Sequence, residues 1–307
     1  MNKKKIWNLV KLFLKLAVTS LALYLVFKKV DPRDIREAFF RTSPGYFIAA
    51  FVFFVLSQCI SSSRLNSFFK SAGLQLSERY NFKIYLLGMF YNLFLPGGIG
   101  GDGYKIFFLR RKFQISGKKL FSAIFFDRLS GFWALGMLTA ALIIFIPQLG
   151  VPQWIPAASA VAATAVYYLF MRRFFNSLSQ QFVIKHIKAV LVQSMQLISV
   201  IFLLYAFQFN GKFSPYLLMF LLSSLVAVFP FTVGGLGARE VVFLWGAEFF
   251  HLDQHIAVII SLLFYCISAL MSFSGIYFVF NPKKLGEDKL PPLPDALDEE
   301  EEGVAAL

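Results

Sequence analysis

Apolar residues in this chain come in long blocks, parted by short charged connectors. Blocks near 7–27, 46–63, 120–147, 154–171, 190–209 and 256–280 each meet or exceed the roughly 17–25 predominantly apolar residues that a helix needs to cross a bilayer. The pattern predicts six full membrane spans. Two further apolar stretches, about 81–103 and 215–250, are broken from within by glycine and proline: "PGGIGGDG" begins at Pro96, and "PFTVGGLGARE" begins at Pro230. Laid over each other, Gly97-Gly98-Ile99-Gly100-Gly101 matches Gly234-Gly235-Leu236-Gly237-Ala238, and a charged residue follows each, Asp102 and Arg239.

Composition agrees with the pattern. The 307 residues are 58% hydrophobic and 15% charged, against roughly 25% charged in soluble domains. The fold class expected is therefore an all-α polytopic membrane protein, with little chain left for a soluble catalytic domain. A net charge of +13 would suggest nucleic acid in a soluble protein. Here the positive residues flank the spans, where they anchor and orient them, and no nucleic-acid partner is expected. Lys11 and Lys15 interrupt the first apolar block, which lacks a small-x-small cleavage site, so it is read as a retained span and not a signal peptide. Cys59 and Cys266 sit in apolar runs and read as buried small hydrophobes. His186, His251 and His255 lie in or beside connecting segments, and no metal-ligand spacing occurs. Neither metal nor cofactor is expected.

Charge then sets orientation. The segment 103–119 holds six Lys/Arg and no acid, and 172–188 holds four and no acid, whereas 148–153 has no charge and 210–214 only Lys212. By the positive-inside rule the first two face the cytoplasm, and both termini join them. The connector 28–45, with five basic residues beside Asp31, Asp34 and Glu37, strains this scheme without overturning it. Counting crossings, 81–103 must dip in and return, or the basic 103–119 would lie outside. The limb 239–250 spans only about 18 Å as a helix, short of a ~30 Å core. Both glycine segments are thus expected as re-entrant broken helices entered from opposite faces. Span, span, re-entrant element, span is then repeated with opposite orientation: a first repeat over 1–147, an inverted repeat over 148–282, and an acidic, proline-rich tail over 283–307 read as disordered. Such inverted repeats serve many secondary transporters, which bind substrate at their broken helices.

Gly98-x-Gly100-x-x-Gly103 spells a dinucleotide fingerprint, but that motif needs a strand before it and a soluble βαβ unit, and neither is available. In a re-entrant loop the same glycines let the backbone turn sharply and approach a neighbour or a ligand closely. The amides freed there, at the positive end of an outgoing half-helix, suit an anionic group; tight hairpin packing without a ligand is the other reading. Asp102 and Glu240 are, with Asp127 and Arg128, candidate intramembrane site charges; an ordinary helix-start cap is the other reading of these two acids. Arg239 beside a positive helix end is unfavourable unless something negative joins it, which makes it the leading phosphate-binding candidate. Asp127 and Arg128 lie about 12 Å into a span, where ionisable groups are costly and usually functional. As helix neighbours they point in different directions, so each is expected to reach another element, Arg128 toward a re-entrant acid. Gln58, Gln193 and Gln196 are candidates to line the same cavity or to bond between helices.

"NLFLPGGIGGDGYKIFFLRRK", then "FFDRLSGF", then "FPFTVGGLGAREVV" resemble the flippase-like transmembrane region of lysylphosphatidylglycerol synthases and its stand-alone relatives, over about residues 5–282. The family's Gly-Gly-x-Gly-x-Arg-Glu string is met by Gly234, Gly235, Gly237, Arg239 and Glu240. Its proline followed by a Gly-Glu pair is met by Pro96 and by Gly101-Asp102, with extra glycines between, a departure that leaves Asp102's role open. The resemblance implies movement of an anionic phospholipid or polyprenyl-phosphate-type lipid between leaflets of a bacterial inner membrane. In the full-length synthases an aminoacyltransferase domain follows the membrane part; only about 25 residues follow it here, so a non-enzymatic mover without the maker is expected. Two other readings are a membrane-embedded lipid-modifying transferase and a non-transporting partner of an envelope lipid-synthesis enzyme.

Overall fold

The computed structural model describes residues 24, 43–94, 100–228 and 237–286. The expected first span 7–27 except for Tyr24, the acidic tail beyond 286, and Gly97, Gly98, Gly234 and Gly235 lie outside the described residues. Within them the chain is helical throughout: α1 Pro44–Ser71, α2 Glu78–Phe94, α3 Gly100–Phe113, α4 Gly117–Ile144, α5 Trp154–Phe174, α6 Asn176–Ser179, α7 Phe182–Ala206, α8 Phe213–Val228, α9 Ala238–Phe249, α10 Gln254–Phe273 and α11 Ile276–Phe280. Five stretches are long and apolar enough to cross a membrane: α1, α4, α5, α7, and α10 continued through α11. Large apolar side chains such as Phe121, Val161, Leu169, Trp245 and Phe249 are exposed on the outside, as lipid-facing surfaces require.

Helix ends move two expected boundaries. α1 does not stop at 63. It continues to a C-terminal motif in which Gly73, at φ 92°, lets its own amide reach the Lys70 carbonyl and the Leu74 amide reach the Phe69 carbonyl. That pair of bonds is the glycine-terminated helix end, so Arg64 belongs to the helix and not to a connector. α7 likewise begins at Phe182, which places Lys185, His186 and Lys188 on a helix where connector residues were expected. Lys185 is fully buried there, with Nζ donating to Ser71 Oγ (2.7 Å) and to the Leu178 and Gln180 carbonyls (2.9 and 2.7 Å). The cysteines also depart from expectation: Cys59 and Cys266 are exposed on the outer surface.

α1 and α7 form an antiparallel pair. The Ser43 amide donates to the Ala206 carbonyl at one end (3.1 Å), Ser199 Oγ donates to the Ala50 carbonyl (2.8 Å), and Lys188 Nζ reaches Ser63 and Ser67 toward the other (2.9 Å to both hydroxyls). Hydroxyl and small-residue contacts of this kind suit helices that meet in lipid, where apolar burial alone does not drive association.

Each glycine segment separates two shorter helices that fold back on one another. α2 and α3 run antiparallel, with Lys112 over the Tyr80 ring, Lys105 over the Tyr85 ring and Tyr91 against Tyr104. The close approach at Gly88 and Gly101 explains these glycines: a Cβ on Gly101 would overlap the Gly88 carbonyl, and one on Gly88 would overlap the Lys105 side chain. α8 and α9 pack the same way through Met219 against Gly246 and Ser224 against Arg239. At their 17, 14, 16 and 12 residues, these limbs reach about 18–26 Å, less than a bilayer core. The first pair starts and ends at the pole carrying Lys70, Arg79, Arg110, Arg111, Lys118 and Lys119, and the second starts and ends at the other pole.

Two large apolar cores lie along the described residues, with a small third around Leu244 and Val258. One gathers Phe54, Leu203, Tyr216, Phe220, Ile260 and Phe264; the other gathers Leu65, Phe68, Leu87, Leu109, Leu120 and Phe126. α1 contributes to both, and between its two contributions it carries buried Ser57, Gln58, Ser61, Ser62 and Arg64.

Candidate functional site

The polar stretch of α1 faces a cavity of about 260 Å³ bounded by α1, α2, α3 and α4. Its charged lining comprises Arg64, Asp102, Lys105, Asp127 and Arg128, with Ser61, Tyr85 and Asn92 beside them. Helix geometry fixes its depth, since Arg64, Tyr85, Asp102 and Asp127 each sit about 10–17 Å along their helices from the basic pole. Four helices agree on that level.

Two ion pairs organise the lining. Asp127 is bound by Arg64 in a forked arrangement, Nε to Oδ1 at 2.8 Å and Nη2 to Oδ2 at 3.4 Å. Asp102, near the start of α3, is shared: Lys105 Nζ donates to Oδ1 at 3.1 Å, and Arg128 Nε donates to Oδ2. Neighbours on α4 thus diverge, Asp127 to α1 and Arg128 to α3, as the ~100° step between helix neighbours demands. Arg128 reaches the re-entrant acid expected of it. Tyr85 Oη lies 3.0 Å from both Gln58 Oε1 and Ser61 Oγ, which places Gln58 behind the lining; Gln193 and Gln196 are not part of it. The Gly101 amide donates to Asn92 Oδ1 at 2.8 Å, so one amide in the first turn of α3 has a side-chain partner.

The second half is built differently. Glu240 is fully buried and spoken for: the Gly237 amide donates to Oε2 at 2.6 Å and Ser261 Oγ to Oε1 at 2.8 Å. It caps α9, and Gly237, at φ 84°, supplies the left-handed turn this needs. Arg239 points elsewhere, with Nη1 3.4 Å from Ser224 Oγ and the guanidinium 5.7 Å from the Phe264 ring centre. Among the described residues it forms no ion pair. Of the sequence candidates, the fold therefore brings together Gly101, Asp102, Asp127 and Arg128. Gly100 starts α3, and Gly237, Arg239 and Glu240 form a separate group. Among the described residues, no three His, Cys, Asp or Glu side chains gather as a metal-binding group.

Arg64, Lys105 and Tyr85 escaped the sequence reading. "SSSR" at 61–64 resembled the end of a span, and the signal that corrects it is Gly73 nine residues on. Lys105 was counted only for orientation, although its i,i+3 spacing from Asp102 marks a helical ion pair.

Together these features define a multi-pass helical membrane protein with a charged, partly open cavity between four of its helices. The chain belongs to the family of the lysylphosphatidylglycerol synthase TM region, whose sequence profile matches residues 12–189, more than half of its length. The cavity lies wholly inside that interval, whereas the Arg239 motif, expected to be part of the resemblance, lies beyond it. No individual curated protein is significantly similar to the chain.

Proposed function

We propose that this protein moves an anionic lipid, a phospholipid or a polyprenyl-phosphate-type lipid, between leaflets of a bacterial inner membrane without altering it covalently. The observation that carries the reading is the cavity: three cations and two carboxylates held between helices at membrane depth are expensive there, and a passing anionic headgroup gives them a use. The paired short helices at opposite poles fit re-entrant elements of an inverted repeat, in which a headgroup is handed from one half to the other. Arg239 is the second station. A guanidinium at a helix start, with a weak hydroxyl contact and an aromatic face, has donors to spare for a phosphate. The basic pole faces the cytoplasm in this scheme.

Reconstituted protein and labelled lipids test it. Wild type exchanges an anionic lipid between leaflets faster than protein-free liposomes do. Arg239→Lys exchanges weakly and Arg239→Ala hardly at all, because losing one charged hydrogen-bonding group costs about 1.5–3 kcal/mol, or roughly 10- to 150-fold. Wild-type rates in Arg239→Ala would remove Arg239 from the path, and no exchange of any lipid would end the reading. A covalently altered lipid in the same tube would replace it with a transferase.

A further inference from the structure

We propose that the acidic segment 295–302 of this chain docks on the basic face formed by the start of α2, the end of α3 and the start of α4. This intramolecular contact is separate from the cavity and independent of whatever the cavity carries.

Charge is divided unequally along the chain. Eight of its 17 acids stand within 287–307, as Glu287, Asp288, Asp295, Asp298, Glu299, Glu300, Glu301 and Glu302, beside the single base Lys289. At the basic pole, Arg79, Arg110, Arg111, Lys112, Lys118 and Lys119 are all exposed. Among the described residues Glu78 is the one acid at that pole, and it is already engaged by Asn66 Nδ2 at 2.9 Å and Lys70 Nζ at 3.3 Å. A patch of one sign sets up a field that draws in the other.

These cations form one surface. Lys112 lies over the Tyr80 ring at 4.9 Å, which joins the end of α3 to the start of α2. A Cβ on Gly117 would lie 3.7 Å from Arg110 Cδ, which joins the end of α3 to the start of α4. The chain leaves from the same place. Lys83 Nζ donates to the Lys284 and Leu285 carbonyls (2.9 and 3.3 Å), and Lys112 Nζ donates to the Gly286 carbonyl at 3.1 Å. Two lysines thus hold the short turn Pro282–Leu285 and Gly286 against α2 and α3, and residue 287 starts beside the face.

Reach and strength are sufficient. Asp295 follows Gly286 by nine residues, a stretch that spans up to about 30 Å. Lys119 follows Lys112 by seven and so lies no more than about 25 Å from it. An exposed ion pair is weak by itself and is screened by salt. Here six acids meet six cations on one tether, so each pair after the first forms within the molecule, at the millimolar effective concentration a short linker gives. Docked there, the segment ties the ends of α3 and α4 to α11, and α3 and α4 are the helices that carry Asp102, Asp127 and Arg128.

Full-length protein with a photo-reactive residue in place of Leu297 tests this, in neutral detergent and in liposomes containing phosphatidylglycerol, with cross-linked peptides mapped by mass spectrometry. The expected products join position 297 to residues 79–119 of the same chain. Replacing Asp295 and Asp298 by Asn and Glu299, Glu300, Glu301 and Glu302 by Gln lowers their yield at least about tenfold, and so does salt at about 1 M, where charges are screened beyond ~3 Å. Arg111→Gln combined with Lys118→Gln, both at exposed positions, lowers the yield several-fold from the other side. A yield unchanged by neutralising the acids overturns the proposal, as do cross-links that join two chains or that fall away from the basic face. Cross-links that form in detergent but vanish in the anionic liposomes also overturn it, because the membrane surface then holds the face in place of the segment.

Discussion

At the residue scale, the informative charges are those whose partners lie on another helix. Arg64 and Asp127 are 5% and 8% exposed and joined at 2.8 Å, so each makes the other tolerable. Removing one partner of such a pair strands a buried charge at a cost of about 3–5 kcal/mol, while replacing both with apolar residues is often neutral. Arg64→Met and Asp127→Leu are each expected to lower the unfolding temperature in detergent markedly, and the double variant to regain most of the loss. Equal losses in the double variant, measured by intrinsic fluorescence on heating, would show that packing and not charge pairing holds α1 to α4. Glu240 illustrates the opposite case. A buried acid beside a glycine motif invites a ligand role, yet its two oxygens are taken by the Gly237 amide and Ser261.

At the element scale, the α2–α3 pair depends on backbone contact. Gly101→Ala places a methyl group against the Gly88 carbonyl and forces the two helices apart, whereas a Cβ at Gly103 meets nothing within 4 Å. Gly103→Ala should therefore be neutral or slightly stabilising, by up to about 1 kcal/mol from helix propensity. Gly101→Ala should destabilise by more than that and weaken lipid exchange together with it. Thermal stability of the two variants side by side checks this; equal values would mean that the helices do not touch as described. α3 also supplies Asp102 and Lys105, so the glycine contact sets where these two charges stand.

At the scale of the whole molecule, and among the described residues, one pole gathers Lys70, Arg79, Arg110, Arg111, Lys118 and Lys119, whereas the connectors at the other carry Lys212, Glu248 and Asp253. Cysteines at Arg111 and Arg173 are expected to react with an impermeant maleimide only from the cytoplasmic side, and cysteines at Gln148 and Gly211 only from outside. Exposed Cys59 and Cys266 must first be replaced by alanine. Labelling of position 111 from outside would overturn the orientation and the inverted repeat.

The helical membrane class, the five described helices long and apolar enough to cross, apart from eight-residue errors at the end of α1 and the start of α7, the paired limbs around each glycine segment and the divergent reach of Asp127 and Arg128 were legible in the sequence. They follow from local rules: apolar run length, breaker residues and the angular step of a helix. What the sequence left undecided depends on meetings between distant residues. Arg64 read as a connector residue because three serines precede it, and only its pairing with a residue 63 positions on shows that it is buried. Buried cysteines were expected from apolar neighbours, but in a membrane the outer surface of a helix is as apolar as its inner one, so hydropathy does not tell inside from outside. Asp102 and Glu240 looked alike, as acids after glycines. Tertiary structure separated them, because the side chains that converge on Asp102 are cations from two helices, and those that converge on Glu240 are an amide and a hydroxyl.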